Sequence, residues 1–273
     1  MQTLKDEDIF KFSSKVKGPK VCILGGVHGN EVGGVNAIKE ILENDFKILK
    51  GEVTFVFANR KAIDQNVRFV EENLNRCFID NKEKTGSYEE KLSLDLKEIL
   101  NGCDICLDLH ASSVKGTEEF IICEKNAYEY IKEFPIKKVC GGFDKLQPGG
   151  TDSYVNRLGK VGICVECGYL TGENSKAIAK NCIYSLLKKL RIVEFENKES
   201  EKEFLEVRDI YFIEENFGLL RSCQNFEFLK KGTLIGKDGD KEVYAKYDGF
   251  ILFAHNKKKT DVDKEAFLYG VRI

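Results

Sequence analysis

Two of the three histidines in this 273-residue chain stand beside residues that could share chemistry with them. His28 lies in Gly25-Gly26-Val27-His28-Gly29-Asn30-Glu31, just after the apolar run Val21-Cys22-Ile23-Leu24 and three residues ahead of Glu31. An imidazole and a carboxylate at that spacing, in a glycine turn, can point two ligands at one ion. His110 closes the run Ile105-Cys106-Leu107-Asp108-Leu109 and precedes the small residues Ala111, Ser112 and Ser113. Two histidines and one glutamate leave a coordination position for water, the arrangement of a catalytic rather than a structural zinc. Asp108, two residues before His110, can orient an imidazole from behind. Glu166 ends the apolar run Val161-Gly162-Ile163-Cys164-Val165. A carboxylate closing a buried strand is costly unless paired or employed. Facing a metal, it can act as general base on water and then hand the proton to a leaving amine. The third histidine, His255 in Ala254-His255-Asn256, reads as solvated or locally hydrogen-bonded and outside the site.

Between these pieces, Asn66 to Phe78 supplies Arg68, Asn75 and Arg76. Arginine suits bidentate carboxylate recognition and oxyanion stabilisation. Taken alone, the stretch reads as a charged loop.

The elements that must position these groups follow from periodicity. Val21 to Leu24 predicts a buried strand, and Val35, Ile38, Ile41 and Leu42 have helical spacing, so the opening stretch reads strand, tight loop, helix. Val53 to Phe57, Ile105 to Leu109, Phe120 to Ile122 and Val161 to Val165 read as further strands. Tyr88 to Leu100 and Ala177 to Leu190 read as helices. Strands alternating with helices predict an α/β domain with a largely parallel sheet, and ligands gather at the carboxyl ends of such strands. The Glu- and Lys-rich stretch Glu194 to Glu203 reads as a linker. Short strand-like runs separated by turn signals follow it, which places a catalytic domain over 1–195 and a small β-rich domain over 196–273.

A formal net charge of -2, with charged residues at 32%, gives no basic field for nucleic acid and no acidic tail. No apolar stretch reaches the roughly 18 residues that span a bilayer. The charged N-terminus lacks an apolar core of signal-peptide length, so a cytoplasmic protein without a membrane partner is expected. The ten cysteines read as reduced thiols, several of them small apolar residues in strands. A four-cysteine structural zinc site on Cys103, Cys106, Cys164 and Cys167 has little support, because both pairs overlap apolar strand-like runs. Glycine pairs at 25–26 and 33–34 lack the spacing of a phosphate loop.

Taken as a set and in order, Gly26-Val27-His28-Gly29-Asn30-Glu31, Ala58-Asn59-Arg60 running to Arg68, Asn73-Leu74-Asn75-Arg76, Asp108-Leu109-His110 and Val165-Glu166-Cys167-Gly168 resemble the aspartoacylase and succinylglutamate desuccinylase family. That family is a branch of the zinc carboxypeptidase-like fold. The resemblance covers about residues 20–170 and extends more weakly to a C-terminal β domain. It implies one Zn2+ per chain, held by His28, Glu31 and His110, with Glu166 as general base and Arg68 polarising the scissile carbonyl. Asn75 and Arg76 would bind a substrate carboxylate, and Arg157 is the nearest counterpart of a second carboxylate-binding arginine. Some members also use a tyrosine of the C-terminal domain, for which Tyr247 and Tyr269 are the available counterparts. The implied substrate is a small anionic N-acyl amino acid. The alternative is a metallocarboxypeptidase acting on a short peptide, such as one from a cell wall.

Overall fold

The computed structural model describes residues 3–79, 83–170, 174–261 and 264–273. In chain order the first elements are β1 (Ile9–Ser13), β2 (Lys20–Gly25), α1 (Val32–Glu43), β3 (Glu52–Phe57), α2 (Arg60–Gln65), α3 (Tyr88–Gly102), β4 (Ile105–Ser112), β5 (Phe120–Cys123) and β6 (Lys138–Gly141). They are followed by α4 (Phe143–Leu146), α5 (Thr151–Arg157), β7 (Val161–Tyr169) and α6 (Ser175–Lys189). The remainder is β8 (Glu203–Phe212), β9 (Phe217–Leu219), β10 (Glu227–Leu229), β11 (Leu234–Asp238), β12 (Lys241–Tyr244), β13 (Gly249–Leu252) and β14 (Glu265–Arg272).

Eleven strands form one mixed sheet in the order β1-β3-β2-β4-β7-β5-β6-β8-β14-β13-β10. The block β3-β2-β4-β7 is parallel. Beyond it β5 runs antiparallel to β7, and β8, β14, β13 and β10 pair antiparallel. β12, β11 and β9 form a separate small antiparallel sheet. This is the α/β architecture with a β-rich C-terminal region that the sequence pattern predicts.

Alternation along the central strands sends side chains to two different layers. On one face Ile23, Leu107, Leu109, Ile163 and Val165 pack under Ile38 and Ile41 of α1 and Ile183 and Leu187 of α6. On the other, Cys22, Leu24 and Cys106 meet Leu92, Leu96 and Leu100 of α3. Strands covered on both faces read as near-continuous apolar runs, which is why they were visible in the sequence.

Two boundaries differ from expectation. β4 continues through His110 to Ser112, and β7 through Glu166 to Tyr169. His110 and Glu166 are register partners across that pair, so backbone pairing persists where polar side chains replace apolar ones. The stretch expected to be a linker is tied down: Lys202 Nζ donates to the Phe134 and Ile136 carbonyls, each at 2.7 Å. β8 then pairs in parallel with β6. Strands from before and after this stretch share one sheet, with β8 covering the β6 edge whose backbone groups would otherwise be unpaired.

Candidate metal centre and active site

His28 leaves β2 through a turn that packs on the start of α2. A Cβ on Gly29 would stand 2.0 Å from the Ala62 carbonyl carbon, so this glycine is required by the close approach of two backbones. Glu31 precedes α1, where a helix N-terminus favours a carboxylate. His110 rises from β4. All three side chains are buried, and their ligand atoms lie within 4.8 Å of one another. Among the described residues no other group of this kind occurs, and the four cysteines do not form one.

The hydrogen-bond partners decide how the imidazoles are protonated. His28 Nε2 lies 3.0 Å from Asn73 Oδ1, which already accepts the Asn75 backbone N–H at 3.0 Å. That oxygen is an acceptor, so Nε2 is the donor and Nδ1 carries the lone pair. His110 Nε2 lies 3.0 Å from Asp108 Oδ2, which also accepts the Thr151 hydroxyl. The two Nδ1 atoms then face Glu31, His28 at 2.8 Å from Oε1 and His110 at 2.8 Å from Oε2. Lone pairs and carboxylate oxygens at that separation repel unless a proton or a cation lies among them. Two imidazole nitrogens and one carboxylate, each backed by a second partner, suit a divalent ion such as zinc.

Charge follows the same logic. Burial lowers the His28 pKa below its ordinary value. For His110 burial acts the same way, but the Asp108 and Glu31 carboxylates outweigh it and hold the pKa well above the ordinary value. Burial opposes ionisation of Glu31, yet His28 and His110 hold it well below the usual carboxylate range.

Glu166 shares this cleft, which has a volume of about 300 Å³. Its Oε2 is buried with no hydrogen-bond partner among the described residues. Burial, reinforced by the Glu31 charge, raises its pKa to about 7. A carboxylate poised there can both accept and return a proton near neutral pH.

The charged loop is folded around Glu89 of α3. The buried Glu89 carboxylate accepts the backbone N–H groups of Val70, Glu71 and Glu72 at 2.7, 3.1 and 3.2 Å and the Asn59 side chain at 3.1 Å. This holds Arg68 and the short helical turn Leu74–Arg76 over the cleft. Arg68 Nη1 donates to Glu31 Oε1 at 2.9 Å. Arg76 Nη2 donates to both Glu265 oxygens at 3.3 Å, and Gln147 donates to Glu265 Oε2 at 2.6 Å. Asn75 also lines the cleft.

Of the residues singled out from sequence, His28, Glu31, Arg68, Asn75, Arg76, His110 and Glu166 come together. Arg157 does not: its guanidinium donates to the Pro148 and Phe78 carbonyls, because the end of α5 turns it away from the cleft. Neither tyrosine reaches it. Tyr247 donates to Asp209 at 2.8 Å and Tyr269 to the Leu229 carbonyl at 3.1 Å, both within the C-terminal region. That region instead contributes Phe253, His255, Lys257 and Glu265 to the cleft. His255, read as outside the site, lines the cleft, and it is locally hydrogen-bonded, with Nδ1 donating to the Phe253 carbonyl. Asp152 and Gln147 also line it, although neither lies in a pattern that marks it in the sequence.

Residues 17–190 match the family described as the succinylglutamate desuccinylase/aspartoacylase catalytic domain. A succinylglutamate desuccinylase of Idiomarina loihiensis is 28% identical over 98% of this chain and 87% of its own length. A "Probable aspartoacylase" of Nostoc sp. is 27% identical over 55% of each chain, so the match spans about half of that relative's length. In structure, the succinylglutamate desuccinylase of Vibrio cholerae superposes with a TM-score of 0.83 at 21% identity, over 97% of this chain and 85% of that one.

Proposed function

Because the chain belongs to the succinylglutamate desuccinylase and aspartoacylase family, we propose that it is a zinc-dependent hydrolase that cleaves the amide bond of an N-acyl amino acid. The observation that carries this reading is the set of two inward-facing Nδ1 atoms and the Glu31 carboxylate beside the unpartnered Oε2 of Glu166. His28, Glu31 and His110 would hold the ion. Bound there, zinc would act as a Lewis acid toward the carbonyl and increase the acidity of water.

The chain's own residues supply the rest. Glu166 takes the proton from the attacking water as its oxygen adds to the amide carbonyl. Arg68 holds Glu31 through Nη1 and has other N–H groups with which to stabilise charge on the carbonyl oxygen. Glu166 then returns the proton to the amine nitrogen as the C–N bond breaks. Asn75 and Arg76 hold the carboxylate of the amino-acid portion. Asp108 and Asn73 keep the imidazoles in the tautomer that coordination needs.

The test is metal content together with release of free amine from N-acyl amino acids and from short peptides with a free C-terminus. The expected result is one zinc per chain, lost in His28→Ala, with cleavage of N-acyl amino acids. Cleavage of peptides alone would replace this reading with a metallocarboxypeptidase. Zinc retained in His28→Ala would overturn the metal centre.

A further inference from the structure

Asp152 lies in the first turn of α5 and lines the same cleft. Only 7% of it is exposed. Its carboxylate accepts the Ser153 backbone N–H, and among the described residues no side chain is hydrogen-bonded to it; its charged neighbours are two of like sign, Asp108 and Asp144, and His110 of opposite sign. A buried carboxylate without a cation is costly and is retained where a ligand supplies what the protein withholds.

The surroundings say which part of a ligand would meet it. A Cβ on Gly150 would stand 2.4 Å from Asp152 Oδ1 and 3.8 Å from Asn75 Oδ1. A Cβ on Gly149 would stand 2.8 Å from the Arg76 Cα. Asp152 is thus set beside the pair assigned to the amino-acid carboxylate. Ile122, Phe143 and Cys164 line the cleft there and are apolar. Arg68 and Arg76, which the reading above gives to the carbonyl oxygen and the amino-acid carboxylate, face Glu31 and Glu265. Arg157, which a second substrate carboxylate would need, is turned away. Lys257 is the further cation of the cleft, and it is contributed by the C-terminal region.

We propose that the cleft takes an N-acyl amino acid with a basic side chain, its ammonium group received by Asp152 and its aliphatic stem by Ile122, Phe143 and Cys164. This rests on the N-acyl amino acid reading above and narrows it away from dicarboxylic substrates. A long amphipathic side chain suits such a pocket, with an apolar stem and a charged tip that finds a partner.

Two measurements on the zinc-loaded protein and on Asp152→Asn test it. The first is kcat/KM for Nα-acetyl-lysine and Nα-acetyl-ornithine against Nα-acetyl-norleucine, N-acetyl-aspartate and N-succinyl-glutamate. The wild type is expected to favour the basic substrates over norleucine by about ten-fold or more, and Asp152→Asn to bring that ratio toward one. Preference for norleucine or a dicarboxylate in the wild type, or an unchanged ratio in the variant, would overturn the proposal. The second is calorimetric binding of lysine against norleucine, which reads the pocket without turnover. Selective lysine binding that disappears in Asp152→Asn supports the pocket even where no acyl amino acid is hydrolysed, and the functional reading then fails alone. Equal binding of the two amino acids overturns the pocket. Should Asp152→Asn not fold, the wild-type lysine-to-norleucine ratio decides by itself.

Discussion

At the scale of single residues, the site is built from acceptors that force donors into place. Asn73 and Asp108 each take an Nε2 proton, and this turns both Nδ1 atoms inward. Glu166 plays a different part, since it is close to the ligand set but is hydrogen-bonded to none of it. Glu166→Gln is expected to keep its zinc and to lose roughly 10²–10⁴ in kcat, measured as metal stoichiometry and turnover on the same sample. Near-wild-type turnover would remove Glu166 from the role of base. Arg76→Lys is expected to raise KM about ten-fold with metal content unchanged, because lysine lacks the planar fork that a carboxylate engages. Unchanged kinetics with a carboxylate-bearing substrate would refute the assignment of Arg76. Glu166 is legible in the sequence because a carboxylate seldom closes an apolar strand, whereas Arg76 reads as part of a charged loop until the family motif marks it.

At the scale of elements, three connections carry the site: the turn after β2, the loop held by Glu89, and the ends of β4 and β7. The turn after β2 is the least tolerant. A methyl group on Gly29 meets the backbone of Ala62 and Ile63, which cannot yield as a side-chain tip would. Gly29→Ala is therefore expected to destabilise the protein by about 1–3 kcal/mol or more. Weaker zinc binding should accompany it, because His28 moves with the turn. Chemical denaturation and a competitive chelator titration measure the two effects. If stability falls and zinc affinity does not, the turn and the ligand are mechanically separate. The glycine turn is legible in the sequence, whereas only the structure shows that Gly29 is needed against α2. Spacing along the chain reveals that a turn is tight but not what it packs against.

At the scale of the whole molecule, one sheet joins the C-terminal strands to the parallel block, so Glu265 at the start of β14 reaches Arg76 in the loop over the cleft. The same assembly buries Asp152, which has a thermodynamic consequence. Burial raises its pKa from the ordinary 3.8 to about 7. Between those values the folded chain keeps a proton that the unfolded chain has released, so stability falls as pH rises through the window and levels off above it. In chelated protein, Asp152→Asn should therefore gain on the wild type as pH rises from about 4 to about 7, by an amount of the order of 4 kcal/mol. Urea unfolding at a series of pH values measures it. A pH-independent difference would mean that Asp152 ionises alike in the folded and unfolded chains.

The sequence alone determined the ligand types, the strands that carry them and the α/β order, because coordination chemistry resides in side-chain identity and strand and helix periodicities are local. Family motifs added the roles of the arginine loop. Only the tertiary structure decided the rest of the cleft. Arg157 faces two carbonyls rather than a substrate, and the two tyrosines stay within the C-terminal region. His255, Asp152 and Glu265 enter the site instead. Glu265 meets Arg76 across 189 residues of chain, and no local pattern encodes such a meeting. It is set by sheet register and by the packing of α5 and β14, where burial and the pairing of charges are settled between residues that the sequence keeps far apart.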